Sequence, residues 1–241
     1  MAKEISGIAQ CITGYNINFD GFYFPRGRHL RGAFGAICAL EELPIISEFF
    51  DLKNDSLIFR DMFPVCDSCK NIIYPNKNDK IVCKRCKTIN DKFSVKNISL
   101  PKYSLKQVIE GGKYRFSIIV KDESFLNKVL YVIEYMVRNN FSIGRMITSG
   151  WGRFRLLEYN VNDKKPEYLS KAILISEAIV DKGGDVDINI GNFVNKTNTF
   201  EFIKLKGLSR YREVSNVDGF YYGNYGTFGF GEFLSPSVFG I

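Results

Sequence analysis

Two short cysteine pairs, Cys66-Asp-Ser-Cys69 and Cys83-Lys-Arg-Cys86, are separated in this chain by 13 residues. Each C-x-x-C offers two sulfurs from one tight turn, so two of them at this spacing can close a tetrahedral site around one zinc ion. The pairs interrupt a basic, aromatic-rich chain between what read as two halves of one domain, the pattern of an inserted structural knuckle. The alternatives are two disulfides or a redox C-x-x-C. Disulfides need an oxidising compartment, and Met1-Ala-Lys-Glu runs straight into a strand-like stretch with no apolar signal segment before it. The expectation is a cytoplasmic protein with a structural zinc held by Cys66, Cys69, Cys83 and Cys86.

A chain of 241 residues can bury a sizeable core, as one large domain or as a domain with a smaller lobe. No segment is long and apolar enough to predict a membrane span. Lys and Arg outnumber Asp and Glu by 33 to 26, giving a net charge of +7, which permits a polyanionic partner without requiring one. An aromatic content of 15% adds to this, because Phe and Tyr can stack on unpaired bases, although most of the 21 Phe belong to the core. Cys11 and Cys38, outside the knuckle, read as buried, inert thiols. His29 is the only histidine, so no His-rich metal cluster exists.

Residues Ile5 to Phe24 read as extended. From His29 to Leu43, apolar residues mostly at three- and four-residue steps (Leu30, Ala33, Phe34, Ile37, Cys38 and Leu40) predict an amphipathic helix. Asp55 to Phe63 predicts a short strand ended by Pro64, and Thr88 to Pro101 a loop or hairpin returning from the knuckle. Tyr114, Phe116, Ile118 and Val120 alternate, predicting a strand over Lys113 to Val120. Ser124 is the expected N-cap of a helix carrying Phe125, Val129, Val132, Ile133, Met136 and Val137. A glycine-bearing loop, Ser142 to Gly152, then leads to a strand over Arg153 to Tyr159.

The order strand, helix, strand, zinc insertion, strand, helix, strand predicts an α+β fold, a ferredoxin-like (RRM-like) split βαβ domain over residues 1–161 with a zinc-knuckle insertion at about 64–90. The open sheet face of such folds often serves as an RNA platform. Asn162 to Pro166 reads as a linker. A β-rich C-terminal lobe is expected over 162–241, with strands at Ala172 to Val180, Val186 to Val194 and Thr199 to Lys206, as a reduced second ferredoxin-like domain or as added strands. The Gly-, Phe- and Tyr-rich tail from Gly219 to Ile241 is either a flexible stacking segment or a glycine-bearing strand.

Two constellations can carry chemistry. Arg26-Gly-Arg-His-Leu-Arg31 puts Arg26, Arg28, Arg31 and His29 at the start of the first helix, where free amide N–H groups and guanidinium groups make a phosphate-binding corner; a solvated basic turn is the bland alternative. Gly144-Arg-Met-Ile-Thr-Ser-Gly-Trp-Gly-Arg153 offers close backbone approach, the hydroxyls of Thr148 and Ser149, the charges of Arg145 and Arg153, and Trp151 for stacking.

With these motifs in this order (Leu30-Arg-Gly-Ala-Phe-Gly35, Leu57-Ile-Phe-Arg-Asp-Met-Phe-Pro64 and Ser149-Gly-Trp-Gly-Arg-Phe154), the chain resembles the RAMP superfamily of CRISPR-associated proteins over residues 5 to 160, and more weakly beyond, at Leu174-Ile-Ser-Glu-Ala178 and Pro236-Ser-Val-Phe239. The resemblance implies ferredoxin-like domains with a glycine-rich loop that binds CRISPR RNA, and several branches carry a cysteine-rich insertion. One branch implies a non-catalytic, type III-like subunit of a crRNA-guided antiviral effector complex, with CRISPR RNA and other effector subunits as partners. Arg26, Arg28, Arg31, Arg145 and Arg153 would then neutralise phosphates, with Ser149 and Trp151 beside them. Another implies a metal-independent endoribonuclease that processes repeat RNA, with His29 as general base for the 2′-hydroxyl. The 87 residues after Phe154 depart from the nuclease pattern, whose loop lies near the C-terminus. A lone histidine also leaves the acid unassigned, unless Tyr15 or Tyr23 supplies it. Three arginines around His29 disfavour its protonated form, which suits a neutral base and a phosphate donor alike. An unrelated zinc-containing nucleic-acid binder is the third reading.

Overall fold

The computed structural model describes residues 1–17, 24–43, 56–73, 81–100, 103–145 and 147–164, and short strands at 171–174, 178–180, 201–202, 211–213 and 233–234. Strand β1 (Lys3–Cys11) alternates buried and half-buried positions. Helix α1 (Gly27–Leu40) begins two residues before the expected His29 and ends before the expected Leu43; it buries Leu30, Ala33, Phe34, Ile37 and Cys38 of the expected stripe, while Leu40, at its last position, is exposed. Strands β2 (Leu57–Phe59) and β3 (Phe63–Pro64), the hairpin β4 (Val95–Leu100) and β5 (Tyr103–Val108), and strand β6 (Lys113–Val120) follow. Helix α2 (Leu126–Arg138), strand β7 (Phe141–Ser142) and strand β8 (Arg153–Asp163) complete this part of the chain.

The main sheet is antiparallel in the order β2-β6-β1-β8-β7, with β3 also paired to β6. Thus β6 lies between β1 and β2, the strands that α1 connects, and β1 lies between β6 and β8, which are joined through α2 and β7. Both helices pack on the face that carries Ile5, Ala9, Phe116, Ile118 and Leu156, and their stripes complete one core. Fully burying a side chain such as Phe34 or Ile133 contributes about 1.5–3 kcal/mol.

Several expectations are corrected. The first strand ends at Cys11, where a bend over Ile12–Gly14 interrupts the ladder; Tyr15 then resumes the same antiparallel register and exchanges backbone hydrogen bonds with Val108 of the hairpin, at 3.1 and 2.9 Å. Residues 18–23 of the expected strand lie outside the described residues. The strand expected over 55–63 is broken at Arg60–Met62, where the chain turns to meet the start of α1 through a Met62 N–H bond to the Pro25 carbonyl (2.8 Å). Asp122, not Ser124, caps the entrance to α2: its carboxylate accepts the Ser124 N–H (2.9 Å) above a short 3-10 turn over Glu123–Phe125. The segment returning from the knuckle forms the β4–β5 hairpin, which extends to Val108.

Asn162 to Lys164, the first residues of the expected linker, belong to the sheet, and 165–166 lie outside the described residues. Strand β8 runs to Asp163, and the Lys164 N–H donates to the Ala2 carbonyl (2.8 Å). The Glu4 carboxylate, which accepts from Arg60 (2.8 Å) and the Ser117 hydroxyl (2.6 Å), faces the Lys164 ammonium at 3.8 Å. That network ties residue 164 into the sheet.

Beyond it, β9 (Lys171–Leu174) pairs with β11 (Glu201–Phe202) and β13 (Phe233–Leu234), and β10 (Ala178–Val180) pairs with β12 (Tyr211–Glu213). The strand expected over Val186–Val194 and most of the tail from Gly219 lie outside the described residues.

Candidate metal centre and nucleic-acid interface

The two cysteine turns are copies of one motif, Val-Cys-x-x-Cys-Lys-x-Ile, at Val65–Ile72 and Val82–Ile89. Each is closed by a bridge between its Val and its Ile. Cys66 N–H donates to the Asn71 carbonyl (2.9 Å) and Cys83 N–H to the Thr88 carbonyl (3.0 Å); Lys70 and Lys87 return bonds to Cys66 and Cys83 at 3.0 and 2.9 Å. Both lysines sit in the left-handed region, at φ 59° and 62°. Asn90, buried beneath the site, accepts the Asp67 N–H (3.1 Å) and donates to the Thr88 carbonyl (3.0 Å), so it fastens one turn to the other.

All four sulfurs lie within 4.8 Å of one another, the shortest separations being 3.5 Å (Cys66 to Cys86) and 3.6 Å (Cys69 to Cys83). A disulfide would need about 2.05 Å, whereas four sulfurs at about 2.3 Å from a tetrahedral ion sit about 3.8 Å apart. The cluster can therefore hold a metal ion. Thr88, 3.3 Å from Cys86 Sγ, pulls that thiol down to about 6, Asn71 also lowers Cys69, and burial pushes Cys83 up to about 11. Burial likewise raises Cys11 to about 12 and Cys38 to about 11, which keeps both as thiols.

The arginine corner is arranged otherwise than its sequence suggests. The Asp61 carboxylate, from the β2–β3 break, accepts the Gly27 N–H at 2.8 Å. The Arg26 N–H donates to His29 Nδ1 (3.0 Å), and the His29 N–H donates to the Arg26 carbonyl (2.9 Å). These partners occupy the helix terminus from within the chain, and a carboxylate already stands where an anion would bind. Arg26 is only 1% exposed, with its guanidinium 5.1 Å from the centre of the Phe24 ring. Because Nδ1 of His29 accepts, the neutral ring carries its proton on Nε2. Arg31 is half-buried, and burial lowers it to about 10. The Arg28 backbone lies in α1, while its side chain is outside the described residues. Tyr15 is fully buried, its hydroxyl 2.8 Å from that of Tyr114, and Tyr23 is outside the described residues.

The glycine loop is clamped by backbone. The Thr13 hydroxyl donates to the Gly150 carbonyl (2.9 Å) and accepts the Arg153 N–H (3.0 Å), while Gly152 N–H reaches the Gly14 carbonyl (3.0 Å) and Arg145 N–H the Asn16 carbonyl (3.1 Å). A side chain at Gly152, where φ is 70°, would place its Cβ 2.0 Å from the Ile143 carbonyl oxygen. This rigid mount presents Arg145, Thr148, Ser149 and Arg153 to solvent, with Trp151 half-buried; the loop leaves from β7, which α1 packs beside. Sequence reasoning missed Thr13, Asp61 and Asn90. Only the repeated Val-Cys-x-x-Cys-Lys-x-Ile motif could have been found from the sequence, by aligning the two cysteine turns.

The described residues thus define an α+β protein with an antiparallel sheet, a four-thiol cluster and a basic, glycine-bearing loop. No family model matches the sequence, and no curated protein does. Solved structures to which the chain is similar include the type III-B Cmr-beta bound to cognate target RNA, at 13% identity and a TM-score of 0.45, over 66% of this chain and 60% of that one. They also include Cmr4 (Cas7) of Pyrococcus furiosus, at 10% identity and a TM-score of 0.37, over 68% of this chain and 100% of the other. A third is the Csm3-Csm4 subcomplex of the type III-A CRISPR-Cas interference complex, at 13% and 0.41, over 66% and 77%. The chain spans less than two-thirds of the Cmr-beta chain it matches. Among the described residues, no helix is long and apolar enough to cross a membrane.

Proposed function

We propose that this chain is a non-catalytic RAMP subunit of a crRNA-guided antiviral effector complex, which holds CRISPR RNA by its backbone. The observation that carries this reading is the glycine loop: hydrogen bonds to Thr13, Gly14 and Asn16 fix its course, and Arg145, Ser149 and Arg153 stand exposed on it. Cations on a preorganised mount contact phosphates at little ordering cost. Arg28 and Arg31 of α1 extend the contact and Trp151 stacks on a base, while Arg26, being buried, braces the corner from inside.

The strand order supports a ferredoxin-like domain reaching to about residue 164, with a β-rich lobe after it. The sulfur spacing supports zinc as the resident ion, and four paired thiols suit the reducing cytoplasm. In the endoribonuclease reading His29 would need an unprotonated nitrogen facing the RNA; the bond from the Arg26 N–H instead makes Nε2 a donor, which favours binding.

Binding of a labelled CRISPR-repeat RNA, titrated with salt, tests the reading. Affinity is expected to fall steeply with salt, and Arg145→Gln with Arg153→Gln to flatten that slope by about 0.7 per lost contact. Absence of any salt slope overturns it. Metal-independent cleavage of the repeat that disappears in His29→Ala would establish the nuclease instead.

A further inference from the structure

We infer that the RNA track continues from the glycine loop onto the sheet face opposite the helices, across a patch of four cations that binds phosphates regardless of sequence. This rests on the RNA-binding reading above and extends it to residues outside the loop.

Register builds the patch. Gln10 of β1 pairs with Lys113 of β6 on one side and with Arg155 of β8 on the other, so the three side chains stand in one row on one face. Arg115, opposite Ile8, lies one rung further along β6, and Arg153 begins β8 at the loop. Neighbouring strands are about 4.8 Å apart, so Lys113 and Arg155 flank Gln10 across about 10 Å, and rungs on one face repeat about every 7 Å. That is the scale of adjacent phosphates on a single strand. Arg115, Arg153 and Arg155 are exposed and Lys113 half-buried, and β6 is buried from Phe116 to Val120, so its cations collect at the loop end of the sheet.

The charge is uncompensated. None of the four cations makes an ion pair among the described residues. The register places Glu158 in the same row as Arg115, across Ile8, so the patch is bounded on β8 by this one carboxylate. Like charges clustered on one sheet face repel unless an anion lies over them, and the neutral Gln10 between them can only add hydrogen bonds. Phe63, which pairs with Arg115, is buried against Phe24, so these positions offer no exposed ring and suit the sugar-phosphate backbone and not stacked bases. Arg153 belongs both to the loop and to the start of β8, so one strand can engage loop and face together.

The test compares wild type, a face variant (Lys113→Gln, Arg115→Gln and Arg155→Gln together) and a loop variant (Arg145→Gln) by fluorescence anisotropy. The probes are two labelled single-stranded RNAs, a repeat sequence and its scrambled counterpart, each titrated with salt, with circular dichroism confirming that each variant is folded. The face variant is expected to bind both RNAs about tenfold or more weakly and to lower the salt slope by about 2, from three contacts at about 0.7 each. A charge-conserving variant, Arg115→Lys with Arg155→Lys, is expected to keep the slope. A face variant that binds like wild type while the loop variant weakens overturns this inference and leaves the proposed function standing. An effect confined to the repeat sequence overturns the backbone assignment, and wild type that binds neither RNA overturns both.

Discussion

The Thr13 hydroxyl and the Gly150 carbonyl are joined at 2.9 Å across 137 positions of chain, and this one oxygen also accepts the Arg153 N–H. The turn after the central strand therefore sets where the glycine loop stands. Thr13→Val keeps the shape of the side chain and removes both bonds, each worth about 0.5–1.5 kcal/mol. The expected outcome is faster amide hydrogen exchange at Arg153 and RNA affinity reduced several-fold, with the melting temperature lowered only slightly. Thr13→Ser should restore both; unchanged exchange in Thr13→Val would show that the loop holds itself.

The Asp61 carboxylate caps α1 from another element, and the strand breaks to deliver it. Removing an N-terminal cap costs about 0.5–2 kcal/mol. Asp61→Ala should therefore lower the melting temperature by several degrees while leaving the RNA affinity of the folded protein intact. If affinity collapses and stability does not, Asp61 orients the arginines and its role as a cap is secondary.

Burial raises Tyr15 and Tyr114 well above the usual tyrosine range, and contact with Tyr114 raises Tyr15 further. Both stay protonated in the folded chain, while the unfolded chain begins to lose those protons near pH 10. Below that pH the pair contributes no slope, and above it stability falls, because the unfolded state releases protons that the fold retains. Denaturant midpoints measured from pH 8 to 11 should drop at the alkaline end. Tyr15→Phe should flatten that drop; an identical alkaline drop in Tyr15→Phe would assign it to other groups.

What could be read from the sequence was local, and what could not was relational. Tyr114, Phe116, Ile118 and Val120 alternate without interruption, and β6 has the predicted limits. The stripe of α2 and the cysteine spacing were equally self-contained. By contrast, the β2–β3 break exists because α1 docks there, and nothing in Leu57–Pro64 reveals that contact. Val95, Ile98 and Leu100 do not keep a period of two, so β4 carried no clear strand pattern. Arg26 and Arg31 look alike in sequence, yet Arg26 lies over Phe24 in the interior while Arg31 is half-buried, because burial depends on residues brought together only by folding.

Asn90 separates the metal site from its scaffold. It touches both cysteine turns without offering a sulfur, whereas Val65, Cys66, Ile72, Ile73 and Cys83 pack into the main core. A bound ion therefore clamps core residues as well as the insertion, and metal binding adds directly to folding stability. Purified protein should contain one equivalent of zinc by elemental analysis. Cys83→Ser should lose it and melt at a clearly lower temperature. Asn90→Ala should keep the full equivalent yet surrender it to a competing chelator about 10- to 100-fold more readily, because it loosens the turns and leaves the ligands in place. Metal-free wild type that melts where the metal-bound form does would sink the structural role, and Asn90→Ala that holds zinc as tightly as wild type would remove Asn90 from it.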